Sequence, residues 1–91
     1  MDYGAHLPVI DFVFQRFFLE WLTAYVQAVR DLGFKAVSTN DHLLHSSPWL
    51  DAPTALTAIL SHSGNMAVGT SILLSVVRGP VQAAKTMAAI D

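Results

Sequence analysis

LEWLTAYVQAVRDLGFKAVST, residues 19–39, passes from a helical period to a strand-type run across a single glycine. Apolar residues recur at spacings of three and four through Phe18, Trp21, Leu22, Tyr25, Val26, Val29 and Leu32, the period of a helix that buries one stripe. Gly33 supplies the left-handed stop, because a residue without Cβ enters positive φ at no steric cost. The chain passes at once into Phe34–Thr39, a second strand-type run. Upstream, Leu7–Ile10 reads as a short apolar strand. Downstream, after HSSPW (45–49), Asp51 can cap a helix whose first turn tolerates Pro53 and whose stripe is Ala55, Leu56, Ile59 and Leu60. Gly64-Asn65 ends it. Met66–Leu74 is a near-continuous apolar run, as in strands covered on both faces. Gly79-Pro80 then opens a third helix through Val81, Ala84, Met87 and Ala88. Three strand-helix alternations with short connections imply parallel strands and right-handed crossovers, so the class is α/β, with no internal repeat or low-complexity linker.

Composition narrows the function classes. Ninety-one residues make one small domain, which buries about 60 to 70% of its unfolded surface. Hydrophobic residues are 53% and mean hydropathy is +0.44, more apolar surface than a core this size hides. A membrane span needs about 18 or more uninterrupted apolar residues. Met66–Val77 is shorter and is broken by Gly69, Thr70, Ser71 and Ser75, so no membrane partner is expected. No basic region precedes the apolar run of MDYGAHLPVI, which argues against a secretory signal. The absence of cysteine excludes disulfide and thiol chemistry and fits a cytoplasmic location. A net charge of −2 with five Lys plus Arg is too little for nucleic-acid binding.

Three parallel strands leave both outer edges unpaired and one sheet face without cover, and Asp91 stands at a helix end where the dipole disfavours negative charge. Both features lead to the expectation that residues 1–91 are a single N-terminal segment of a larger barrel or sheet.

The segments GAHLPVID, LEWLTAYVQAVRDLGFKAVSTNDHLL, PWLDAPTALTAILSHSGNMAVGTSILL and RGPVQAAKTMAAID, in that order, resemble the opening part of the bacterial luciferase-like family of flavin-dependent oxidoreductases. The resemblance runs through nearly the whole chain and rests on strand-end Asp-His, then Gly-Thr-Ser-Ile, then Arg-x-Pro. It implies a partial (β/α)8 TIM barrel of about three parallel β/α units. It also implies reduced FMN, or a deazaflavin coenzyme, bound at the carboxyl mouth of the strands. Asp41 and His42 match the family's Asp-His near the reactive face of the flavin. Ser71 and Ile72 match the position where members carry a non-proline cis peptide against the ring. The chain departs from the family between Asp11 and Leu19, where FVFQRFF replaces a glycine-containing loop. Barrels of this kind take the cofactor phosphate from loops after strands seven and eight, so the resemblance implies a chain without its own phosphate anchor.

Each candidate site has two readings. Asp41-His42 is either an imidazole at a cofactor, tuned by the adjacent carboxylate, or a turn in which Asp41 caps backbone N–H groups. Thr70 and Ser71 either offer hydroxyls to a cofactor carbonyl or satisfy strand hydrogen bonds. His42 and His45 at a three-residue spacing, with Asp41 and His62 available, fall short of the three or four converging ligands of a zinc site, so no metal is expected. His6 is expected in the core or barrel lumen. Arg78 is expected to be solvated, with strand-end carbonyls or an anion as its alternative partners. Phe12, Phe14, Phe17 and Phe18 around Arg16 are expected to pack at a helix start rather than form a lid or a nucleic-acid platform. The resemblance implies an oxidoreductase segment acting on a small-molecule substrate, inactive alone and completed by the missing barrel segments or by a second copy. The alternative is a non-catalytic module that pairs through exposed strand edges and apolar faces.

Overall fold

The computed structural model describes residues 1–11 and 18–91. Along the chain run β1 (Gly4–His6), α1 (Leu19–Asp31), β2 (Ala36–Thr39), α2 (Ala52–Ser63), β3 (Ala67–Thr70), α3 (Ser75–Arg78) and α4 (Pro80–Ile90). The strands are parallel in the order β1-β2-β3, with Gly4 opposite Ala36, Ala36 opposite Ala67, and His6, Ser38 and Gly69 in one row. The class is therefore α/β, three parallel strands interleaved with helices as in part of a β/α barrel.

Local chemistry sets the helix ends. Gly33 adopts φ +86°. Its N–H bonds the Arg30 carbonyl at 3.0 Å while the Phe34 N–H reaches Val29 O at 3.2 Å, the paired bonds of a Schellman cap. Asp51 Oδ2 accepts from the Thr54 N–H at 3.1 Å and from its hydroxyl at 2.6 Å, capping α2 as expected, with Pro53 in the first turn. Gly64 follows the helix at φ +59°.

The core lies between one sheet face and α1 with α2. Leu7, Val9, Leu22, Val26, Val37, Ala55 and Ile59 form it, with Tyr25, Trp49, Leu50, Met66 and Val68 packed around them. Side chains alternate across a strand, so Val37 and Thr39, both buried, point to the helices. Gly4, His6, Ala36, Ser38, Ala67 and Gly69 then share the opposite face, over which the described residues place no layer. Among the described residues, no helix is long and apolar enough to cross a membrane.

Four expectations need correction. The paired first strand is Gly4–His6 and not Leu7–Ile10. Pro8 cannot donate to a ladder, and after Leu7 the chain leaves the sheet to meet the loop before α2: Leu50 N–H bonds Val9 O at 2.8 Å and Asp11 N–H bonds Pro48 O at 2.9 Å. The third strand stops at Thr70, and a short helix, α3, precedes Gly79. In α1 only Leu22, Val26 and Val29 are fully buried, whereas Phe18, Trp21 and Leu32 are exposed, and the rings of Phe18 and Trp21 meet at 4.9 Å. In α4 the buried residue is Ala83, while Val81, Ala84 and Ala88 face outward, because α4 meets α2 on one narrow side. The expectation for Phe12, Phe14, Arg16 and Phe17 falls outside the described residues.

Candidate functional site

Parallel strands end in step, and the loops after them carry most of the polar groups singled out in the sequence. β2 ends at Thr39, and alternation continues for two residues beyond it. Asn40 turns to the uncovered face and Asp41, buried, to the helices. His6 stands beside Asn40 at the end of β1. Its Nδ1 lies 3.0 Å from Ser38 Oγ and its Nε2 contacts Asn40 Oδ1, while the Tyr25 hydroxyl donates to the His6 carbonyl at 2.7 Å. His6 is exposed and held on the uncovered face, not in the core.

Asp41 is enclosed by donors. Its Oδ2 accepts from Leu74 N–H at 2.9 Å and from Arg78 Nε at 2.7 Å, and its Oδ1 accepts from Arg78 Nη2 at 2.5 Å. The same Nη2 donates to Asp51 Oδ1 at 2.6 Å. The Asp41 side chain is fully buried and that of Arg78 is 16% exposed. Hydrogen bonding from Arg78 holds the Asp41 carboxyl below its ordinary value, against the opposing effect of burial. For Asp51, burial pushes upward, but hydrogen bonds from Thr54 and Arg78 outweigh it and the net shift is downward. Asp41 raises the Arg78 pKa, burial opposes this, and Asp51 adds to the increase. The expected solvated Arg78 is therefore a correction: two carboxylates enclose it. A charge between two opposite charges gains enough to leave water, but the partners lie 37 and 27 residues away, which local pattern does not reveal.

Asp41 and His42, adjacent in sequence, part ways in space. His42 is exposed, and its ring packs on Trp49 at 4.2 Å and lies 5.6 Å from His45, which itself meets Trp49 at 4.7 Å. His45 Nδ1 accepts the Ser47 N–H at 3.2 Å. His62 belongs to the last turn of α2, with its ring against Ser61 Oγ. Among the described residues, no three His, Asp or Glu side chains are placed to hold a metal.

Thr70 closes β3 opposite Thr39, and Ser71 N–H continues the ladder to Thr39 O at 2.8 Å. The Ser71–Ile72 peptide is cis, and Ile72 is 79% exposed. A pocket of about 390 Å³ between α2 and α4 is lined by Arg78, Asp51, Thr54, Gln82 and others, and Thr70, Ser71, Ile72 and His42 are not among its walls.

A family model described as luciferase-like monooxygenase matches residues 16–91. The chain belongs to the luciferase-like monooxygenase family. No curated protein and no solved structure is similar enough to match. Luciferase-like monooxygenases are oxidoreductases, generally flavin-dependent, and the strand ends fit one part of a flavin. The Ser71 hydroxyl, the Asn40 amide and the His6 imidazole can meet the polar edge of a heteroaromatic ring, and exposed Ile72 can meet its face, whereas Thr70, level with Thr39, shares the helix side of the sheet. A Cβ added at Gly69 meets nothing within 4 Å, so the face beside these groups is open. The phosphate fits less well, because Arg78, the guanidinium built into this region, is already engaged by two carboxylates.

Proposed function

We propose that the chain is the ring-binding portion of a flavin- or deazaflavin-dependent oxidoreductase that acts on a small-molecule substrate. Ser71 and Ile72 would hold one side of the ring with Thr70 supporting them from the helix side of β3, His42 would supply a proton-exchanging group at the mouth, and Asp41 would fix the loop that carries His42. The flavin, when bound, supplies the redox chemistry. The observation that carries the reading is the arrangement of small and polar residues on one open face at the carboxyl ends of three parallel strands, in a chain of this family. Barrel enzymes build their sites at this edge.

The outer edges of β1 and β3 pair with no other strand among the described residues. Together with the engagement of Arg78 by two carboxylates, this supports a chain that works with further β/α units and turns over no substrate by itself. Titration with reduced FMN and with a deazaflavin coenzyme, followed by tryptophan fluorescence, tests the reading. Saturable binding of one of them, with the phosphate-free ring binding as well as FMN, is the expected result. No saturation by either at millimolar concentration overturns it.

A second reading, pairing with another copy, draws on exposed Val76, Val77 and Val81, at 94%, 64% and 82%, on neighbouring turns of α3 and α4. Sedimentation velocity separates the two: a monomer at high micromolar concentration removes this second reading.

A further inference from the structure

We infer that Arg78 is the positioning residue of the mouth: one guanidinium sets where the segment after β2, carrying His42, stands relative to the segment after β3, carrying Ser71 and Ile72. The geometry stands without a ligand, and only the flavin readout below rests on the oxidoreductase reading. Asp41 directly precedes His42, and Leu74 follows Ile72 by two residues. Both are fixed to the same carboxylate, Asp41 covalently and Leu74 through its N–H at 2.9 Å. Arg78 closes this arrangement with a two-pronged contact to Asp41 and extends it to Asp51 at the start of α2. Both ends of the β2–α2 connection and the segment after β3 thus share one charged group.

The shape of guanidinium is what allows this. Its planar set of N–H groups engages both oxygens of one carboxylate and still reaches a second, whereas an ammonium is a point donor on a flexible stem. Arg78 approaches from the helix side, since Asp41 shares the alternation of Val37 and Thr39, and with Asp51 and Leu73 it lines the pocket between α2 and α4. It therefore stands behind the mouth and acts through Asp41.

Amide hydrogen exchange on the full chain tests the assignment in Arg78→Lys, with Val37 in the central strand as the internal reference. Leu74 is expected to exchange on the order of tenfold faster while Val37 is unchanged. In a Trp21→Phe background, Trp49 emission is expected to shift with Leu74, because Trp49 carries the ring of His42. Ethylguanidinium added to Arg78→Ala is expected to restore protection at Leu74, a rescue that a general loss of stability does not allow. Equal acceleration at Leu74 and Val37, or no change at either, overturns the inference. Should Arg78→Lys fail to fold, Asp51→Ser, which keeps a capping oxygen for Thr54 and removes the limb to Arg78, carries the same comparison. Flavin affinity is expected to fall in step with the loss of Leu74 protection. A parent chain that binds no flavin refutes the oxidoreductase reading and leaves the exchange result to decide the role of Arg78 alone.

Discussion

Replacing Asp41 by Asn keeps the shape of the side chain and removes the charge that Arg78 faces. Two donors converge on Oδ2 and a third on Oδ1, so whichever way the new amide turns, its NH2 meets an N–H where an acceptor stood. Breaking one side of a buried ion pair costs about 3–5 kcal/mol. Arg78 retains Asp51 and is 16% exposed, which places the expected loss at the lower end, about 3 kcal/mol. A chain of 91 residues has about 5–14 kcal/mol of stability in total. The substitution therefore removes a large fraction, and the thermal midpoint falls by about 12–24 °C. Urea unfolding monitored by tryptophan fluorescence measures the loss, with Asp31→Asn as control. The Arg30–Asp31 pair is 3.8 Å long with side chains 44% and 75% exposed, so that change is expected to cost no more than about 0.5 kcal/mol. If Asp41→Asn and Asp31→Asn cost the same, the buried cluster does not stabilise the fold and the reasoning fails.

Because the pKa values of Asp41 and Asp51 are lowered on folding, the unfolded chain takes up protons first as pH falls. Stability is expected to be level above the ordinary aspartate value of about 3.9 and to drop as pH is taken below it, with a shallower drop in Asp41→Asn; an unchanged acid limb contradicts this. Gly33→Ala is expected to cost about 1 kcal/mol in chemical denaturation, all of it from the backbone, since nothing lies within 4 Å of the added Cβ at φ +86°. Ile59→Ala, at a position fully buried in the core, is expected to cost about 2–5 kcal/mol in the same assay. Ile72→Ala is expected to change stability by less than about 0.5 kcal/mol and to weaken flavin binding measurably, a split read by pairing thermal unfolding with titration.

The helix ends were legible because their causes are local. A glycine at positive φ, an aspartate three residues before the N–H it caps and a proline in the first turn all act within a few positions of themselves. The order of strands and helices followed from these stops. The first strand was not legible: Gly4, Ala5 and His6 have little strand character, and they are paired because a parallel neighbour of equally small residues lies alongside. The apolar signal sat one step downstream in Leu7 and Val9, which are buried in the core just past the paired residues. At the site, the strand-end position of Asp41 and His42 was visible in the sequence, but the divergence of their side chains was not. Two aspartates and an arginine at loop ends, in a chain with 13% charged residues, were the one available hint to the Arg78 cluster.

Asp51 divides its two oxygens, one to the first turn of α2 and one to Arg78. The first turn of α2 therefore cannot fray without loosening the strap that runs from β3 into α4. Opening of the second and third units becomes a single cooperative event, so a protease that nicks the strap should find the helix start already released.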